Sequence, residues 1–281
     1  MIIWLASYPK SGNTWLRSLL ASYYFSNHGD FNFNLLQKID QFPSYNHFKD
    51  YNKIFSNPTD TTEFWIEEQT KINSDNKIKL FKTHNALCKI NGHSFTNKQN
   101  TLGVIYIIRD PRNVISSIAH HYQIDLNEAY EFMNTKNKAI IQKKGESYVG
   151  FVALFSYLFH HKSWVENTLY PTLVIKYEDL LYETFNTFKN VINFFNKITH
   201  SSNSFDKEKA KLAVSSTKFE KLRKLEEEQG FKESIISKKD GKNIKFFNLG
   251  KENQYTKLLS LDLVNKMNKQ YKEILVKYNY E

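Results

Sequence analysis

The chain has 281 residues, 41% of them hydrophobic and 15% aromatic, which is ample for a buried core and within the size of one α/β domain carrying loop insertions. A formal net charge of +10 favours an anionic partner, and nucleic acid, an acidic membrane surface and a phosphorylated cofactor all qualify. The single cysteine, Cys88, excludes an intrachain disulfide; no Cys/His cluster has zinc spacing, no apolar run nears the roughly 18 residues of a membrane span, and no signal peptide is evident, so the expectation is a soluble, cytoplasmic protein without membrane insertion.

Ile2–Ser7 is a short, apolar, β-branched run and predicts a first strand. Thr14–Phe25 follows, with Trp15, Leu16, Leu19, Leu20 and Tyr23 at helical spacing. The stretch 28–76 is polar and weakly patterned, with scattered aromatics. Ile78–Thr83 predicts a second strand and Val104–Arg109 a third, whose apolar residues on both faces suit the centre of a covered parallel sheet. Val114–Tyr122 reads as a helix entered through Asp110-Pro111-Arg112, Ser147–Trp164 as an aromatic helix, and Thr172–Tyr177 as a fourth strand. The stretch 201–247 is rich in Lys, Glu and Ser and holds the triplet Glu226-Glu227-Glu228; Leu261–Tyr278 is an amphipathic helix. The alternation predicts an α/β fold, a single-domain open parallel sheet flanked by helices over 1–281. The stretches 28–76 and 201–247 read either as solvated surface or as insertions forming acceptor-pocket walls and a lid at the carboxyl ends of the strands.

Three segments carry chemistry. Tyr8-Pro9-Lys10-Ser11-Gly12-Asn13-Thr14-Trp15 leads from the first strand into the first helix, a geometry that gathers backbone N–H groups and the helix dipole around one point. Gly12 permits close backbone approach, Lys10 adds a mobile charge, and the Ser11 and Thr14 hydroxyls can donate to phosphate oxygens. It is a P-loop-like anion cradle but not a Walker A loop, since Lys10 precedes the only glycine instead of following it. Arg109 ends the third strand and Ser117 lies in the first turns of the next helix, so both can converge on one phosphate; alone, an Arg-Asp-Pro turn serves equally as a helix start. Phe81-Lys82-Thr83-His84 ends the second strand, where an isolated histidine is by itself as well explained structurally. The pairs His120-His121 and His160-His161 fall on helices and read as structural or surface groups.

The octapeptide resembles the 5′-phosphosulfate loop of the cytosolic-type sulfotransferases that use 3′-phosphoadenosine 5′-phosphosulfate (PAPS), usually YPKSGTTW, with Asn13 the one departure. The resemblance implies the sulfotransferase fold, PAPS as co-substrate, adenosine 3′,5′-bisphosphate (PAP) as product, and no metal. It implies that Lys10, Ser11, Gly12, Asn13, Thr14 and Trp15 hold the 5′-phosphosulfate and that Arg109 and Ser117 hold the 3′-phosphate. Phe81–His84 resembles the family's KTH segment, which implies His84 as general base, with Lys82 and Lys10 stabilising charge on the transferring and leaving groups. An imidazole of ordinary pKa near 6.5 suits that task. Val174–Leu180 is similar to the family strand whose tyrosine, here Tyr177, approaches adenine, and Ser216–Phe219 to a segment in which Thr217 and Phe219 flank the base. Near the C-terminus the family usually has Arg-Lys-Gly and then Gly-Asp-Trp. Here only Gly250 remains, Asn248 and Leu249 replace the cations, and Tyr255 stands for the tryptophan. Either Lys251 or Lys245 is expected to supply the missing charge, or the 3′-phosphate is held more weakly.

The expected activity is sulfuryl transfer to a hydroxyl or amine. A P-loop nucleotide kinase or phosphotransferase would want Lys-Ser/Thr after Gly12, and a nucleic-acid-binding protein a basic stripe interleaved with aromatics; the informative cations instead sit singly at strand ends. The stretches 28–76 and 123–164 are expected to form the acceptor pocket. Their aromatic content suits an apolar or ring-bearing small molecule or a carbohydrate, and no dimerisation motif stands out in the C-terminal segment.

Overall fold

Every side chain of Ile2–Ser7 (β1) is buried, so this strand must be covered on both faces. The computed structural model describes residues 1–51, 53–237 and 241–280. It places β1 at the centre of a five-stranded, wholly parallel sheet in the order β2-β3-β1-β4-β5, where β2 is Asp40–Gln41, β3 Lys79–Thr83, β4 Thr101–Ile108 and β5 Thr172–Lys176. Trp4 lies level with Phe81 on one side and Val104 on the other.

Alternation along the strands sorts the core into two layers. Ile2, Trp4, Ala6, Val104, Tyr106 and Ile108 face a cluster completed by Trp65 of α2 (Trp65–Ile72), Val114 and Ile118 of α3 (Pro111–Tyr122), Met133 of α4 (Leu126–Asn134), Trp164 of α5 (Tyr157–Val165) and Met267 of the C-terminal helix. Ile3, Leu5, Ile105 and Ile107 face the other cluster, with Leu16, Leu19 and Leu20 of α1 (Asn13–Phe25), Phe188 and Val191 of α6 (Thr184–Thr199) and Ala213 of α7 (Lys207–Ser216). Each fully buried large aliphatic or aromatic side chain contributes about 1.5–3 kcal/mol, so both layers are substantial. Helices α8 (Phe219–Gln229) and α9 (Leu261–Lys277, kinked at Tyr271) complete the chain. No helix among the described residues is long and apolar enough to cross a membrane.

The four predicted strands are present, within a few residues at each end. Ser147–Trp164 is not one helix. Ser147–Ala153 is a strand paired antiparallel with Ala139–Lys144, and only Tyr157–Val165 is helical. The Ser-Tyr-Val-Gly-Phe-Val run has strand propensity, Gly145 supplies the positive φ of the hairpin turn, and Ser156 starts the helix by accepting from the Phe159 N–H. Within the two predicted insertions, Asn52 and Lys238–Asp240 lie outside the described residues.

The parallel arrangement collects four carboxyl ends at one edge: Tyr8–Gly12 after β1, His84 after β3, Arg109 after β4 and Tyr177 after β5. Open α/β sheets bind ligands in the crevice outside such ends.

Candidate active site

A cavity of about 350 Å³ opens at those strand ends. Its floor is the turn from β1 into α1. Lys10 has φ +65° and Gly12 φ +101°, so two left-handed residues fold the chain back and aim successive N–H groups into the turn. Gly12 is the N-cap of α1 and has no side chain to satisfy the helix's first N–H groups, and the first turn carries no acidic residue. A Cβ on Gly12 would stand 2.5 Å from Cδ2 of Tyr177, so the position needs glycine both for its φ and for its neighbour. Asn13 is turned back onto β1, its side-chain amide donating to the Leu5 carbonyl (2.8 Å) and the Ser7 hydroxyl (3.1 Å). Its side chain therefore braces the loop and leaves anion contact to the backbone.

Three charged groups meet above this floor. Lys82, at the end of β3, donates to Oε2 of Glu233 (3.0 Å); Thr14 Oγ1 donates to the same oxygen (3.0 Å), and Arg17 holds Oε1 (2.5 Å). Burial alone would raise the Glu233 carboxyl, but Lys82 and Arg17 outweigh it and hold it well below the usual carboxylate range. Burial drives Lys10 down to about 7, helped by Lys82 and Arg109 and opposed by Glu233; its ammonium rests 3.6 Å from the centre of the Phe246 ring. His84 lines the cavity beside them. Its Nδ1 donates to the Ser7 carbonyl (2.8 Å), which leaves the lone pair on Nε2. Burial, followed by the field of Lys82, pushes the imidazole pKa well below its ordinary value, so the ring is a neutral base.

At the far end, Arg109 donates to the Lys10 carbonyl (3.0 Å) and to Ser117 Oγ (3.2 Å), with its guanidinium 4.2 Å from the centre of the Tyr177 ring. Asn253 completes this end: its Nδ2 donates to Ser117 Oγ (2.8 Å), and its Oδ1 accepts from Ser116 (2.6 Å). Trp15, Tyr177 and Phe219 present aromatic surface to the cavity, and Phe219 lies so close to Gly250 that a Cβ there would come within 2.7 Å of its ring. Ser11 Oγ, Trp15 Nε1 and Arg109 Nε are buried without a protein partner. On the cavity wall, the unmatched donors of Trp15 and Arg109, with an uncapped helix start and buried cations, fit a nucleotide carrying a charged group at each end.

Of the residues singled out in the sequence, several stand off the cavity wall. Ser11 is buried within the loop. Thr217 is also fully buried and donates to the Ala213 carbonyl (2.7 Å) at the end of α7, so it ends a helix instead of flanking a base. Lys251 is exposed in the turn Gly250–Glu252, because the chain reverses at Gly250 (φ +54°) before reaching it. Lys245 is likewise engaged elsewhere, pairing with Glu227 at 2.8 Å. The histidine pairs differ from expectation in part. His120 and His121 border the cavity, while His160 and His161 are buried, His160 bridging Tyr106 Oη and the His84 carbonyl.

Glu233, Arg17, Asn253 and Phe246 are the residues that sequence reasoning missed. Arg17 sits one turn after Thr14 and was legible in principle from that helical spacing. Glu233 lies in a stretch without periodicity. The nearby acidic triplet is not uniformly solvated either: Glu226 is buried and accepts from Ser234 Oγ and the N–H groups of Phe246 and Phe247, tying together the two arms that carry Glu233 and Phe246.

Residues 2–279 match the family described as the sulfotransferase domain. Among solved structures, retinol dehydratase in complex with androsterone and the inactive cofactor PAP is similar, with a TM-score of 0.60 and 18% identity over 98% of this chain and 80% of that one. A complex of retinol dehydratase with retinol and PAP gives 0.60 and 19% over 98% and 81%. Mouse sulfotransferase SULT7A1 complexed with PAP gives 0.49 and 20% over 98% and 83%. No curated protein matches the chain. The retinol dehydratase likenesses bear on the fold, and the family match extends over nearly every residue that builds the cavity. The chain belongs to the sulfotransferase-domain family, whose members move a sulfuryl group from PAPS to an acceptor.

Proposed function

We propose that the chain sulfates a hydroxyl of a small, ring-bearing acceptor, with His84 as the general base. The observation that carries this reading is the tautomer of His84: with Nδ1–H committed to the Ser7 carbonyl, the free lone pair is on the other ring nitrogen, on the cavity wall next to Lys82. The backbone N–H groups of the Lys10–Thr14 turn, with Lys10, hold the 5′-phosphosulfate; Arg109 and Ser117 hold the 3′-phosphate; Trp15, Tyr177 and Phe219 offer faces on which a purine stacks. When bound, PAPS supplies an activated sulfuryl group with PAP as its leaving group. His84 Nε2 takes the acceptor's hydroxyl proton as the new O–S bond forms. Lys82 steadies charge on the sulfuryl oxygens, and Lys10 meets the negative charge that collects on the departing oxygen. The cavity wall also includes Gln41, Tyr122, Ile140 and Gln142, a mixture of apolar surface and amides that suits a ring with one reactive hydroxyl. The similar retinol dehydratase structures hold androsterone or retinol beside PAP, in line with that acceptor class.

The test is His84→Ala. Turnover with a competent acceptor should fall by about 10²–10⁴, while PAP affinity measured by calorimetry stays within about threefold, because the base touches the acceptor and not the nucleotide. Near-normal kcat would remove His84 from the role. Because His84 is already neutral well below its ordinary pKa, the acid limb of kcat/KM should fall below pH 6.5.

A further inference from the structure

Glu233 is an anion held where anions are expected to bind. Its carboxylate takes up Lys82, Thr14 and Arg17 at hydrogen-bond distance, and two of these three, Lys82 and Thr14, belong to the cradle assigned above to the phosphosulfate. A carboxylate and a sulfuryl group share the relevant chemistry: each is a compact set of oxygens bearing one negative charge, and each prefers ammonium, guanidinium and hydroxyl donors. The two cannot share Lys82 and Thr14 without setting like charges against each other in a buried site.

We infer that Glu233 is a specificity-determining residue of the nucleotide site, its carboxylate standing in for the transferring sulfuryl group. PAP, which lacks that group, enters with Glu233 in place. PAPS enters only when the Glu233 side chain has left Lys82 and Thr14, and the carboxylate returns when the sulfuryl group has gone to the acceptor. The backbone that carries it does not have to open. Ser234, the next residue, is fastened to Glu226, and Phe231 packs on Phe33, Phe246 and Phe247, so the movement is one of the side chain against a fixed arm. Arg17 stays with the leucine and isoleucine carbonyls at Leu36 and Ile39 (3.2 and 2.9 Å), which keep its guanidinium in position whether or not Glu233 is paired with it. The inference rests on PAPS being the donor.

The experiment is calorimetric binding of AMP, PAP and PAPS, without acceptor, to the full chain and to Glu233→Gln. The amide keeps the shape and loses the charge, so PAPS affinity should rise by about tenfold relative to PAP, as expected when a competing closed form is removed. An unchanged PAPS-to-PAP ratio, or equal weakening of both, would overturn the role of Glu233. If the glutamine variant does not fold, Glu233→Asp draws the carboxylate back by one methylene while keeping its charge. The ratio should then rise by about threefold, and a wild-type ratio would count against the inference. Failure of the donor assignment looks different: the unsubstituted chain would bind AMP as well as PAP, whatever residue 233 is.

Discussion

At the β1–α1 end of the cavity the backbone N–H groups of the turn stand with Lys10 and Lys82, and Arg17 pairs with Glu233, whereas the α3 end offers one guanidinium, Arg109, with the neutral groups Ser117 and Asn253. The difference follows the chemistry. Under the proposed assignment, charge shifts during transfer only at the β1–α1 end, and preorganised cations there would lower the barrier. A 3′-phosphate at the α3 end would keep its charge throughout, so that end would have only to position it, and hydrogen bonds to neutral groups are sufficient for that. The ends are nevertheless joined, since Arg109 donates to the Lys10 carbonyl and packs on Tyr177, the ring that lies against Gly12.

That joint offers the largest expected effect. In Gly12→Ala the new Cβ would need the Tyr177 ring to move by about an ångström, and alanine at φ +101° is strained in any surroundings. Overpacking and backbone strain together amount to about 2–4 kcal/mol, so PAP affinity should drop by roughly 100-fold. Both ends should fail at once, as Arg109 loses its stacking partner. If PAP retains its affinity within about threefold, while circular dichroism shows the native fold, the two ends are independent.

A smaller effect would sharpen the contrast in charge. Lys10 is held near 7 in the free protein by burial and by neighbouring Lys82 and Arg109. An anionic ligand beside it raises that value, because the ammonium gains a partner. Binding near pH 7.5 should therefore take up roughly half a proton or more, seen as a dependence of the calorimetric enthalpy on the ionisation enthalpy of the buffer. The sign for affinity follows: the ammonium form binds, so affinity falls as pH rises from about 7 towards 9 and is flat with respect to this group below about 6. Lys10→Met should abolish the uptake. No uptake is expected from Ser117 and Asn253 themselves, which do not titrate.

Much of the β1–α1 end of the cavity was legible in the sequence because it is local. Lys10, Gly12 and Thr14 fall within five consecutive residues, and a strand followed by a helix fixes how such a loop must turn. His84 and Arg109 were singled out through the resemblance, since each alone was as well explained structurally; both line the cavity because parallel strands deliver their last residues to one edge. The misreading of Ser147–Ala153 has a plain cause: an aromatic, apolar stretch carries no decisive period, and its partner strand Ala139–Lys144 is exposed from Ile141 on and ends in two lysines. Glu233 was out of reach for another reason. Its partners are Thr14, Arg17 and Lys82, hundreds of residues away along the chain for the first two, and only tertiary folding brings the arm over the cavity. The fate of Lys251 is the converse case: adjacency to Gly250 suggested a contact, and the turn at Gly250 leads away from one.

The smallest predicted effects test whether the α3 end really works without a second cation. Asn253 is a positioning residue there: its amide fixes Ser117 Oγ from one side while Arg109 approaches from the other, and its carbonyl oxygen is fixed by Ser116. Asn253→Ala removes the neutral hydrogen bonds to Ser117, Asn113 and Ser116; the one that holds the Ser117 hydroxyl is worth about 1 kcal/mol, so PAP should bind about fivefold more weakly. AMP, with no 3′-phosphate, should be little affected, and that selectivity separates positioning from a general loss of stability. Lys251→Ala should change neither nucleotide by more than about twofold, since an exposed lysine off the cavity wall contributes little through solvent and salt. If instead Lys251→Ala weakens PAP more than Asn253→Ala does, the turn after Gly250 closes over the ligand on binding, and the 3′-phosphate end is built from charge after all.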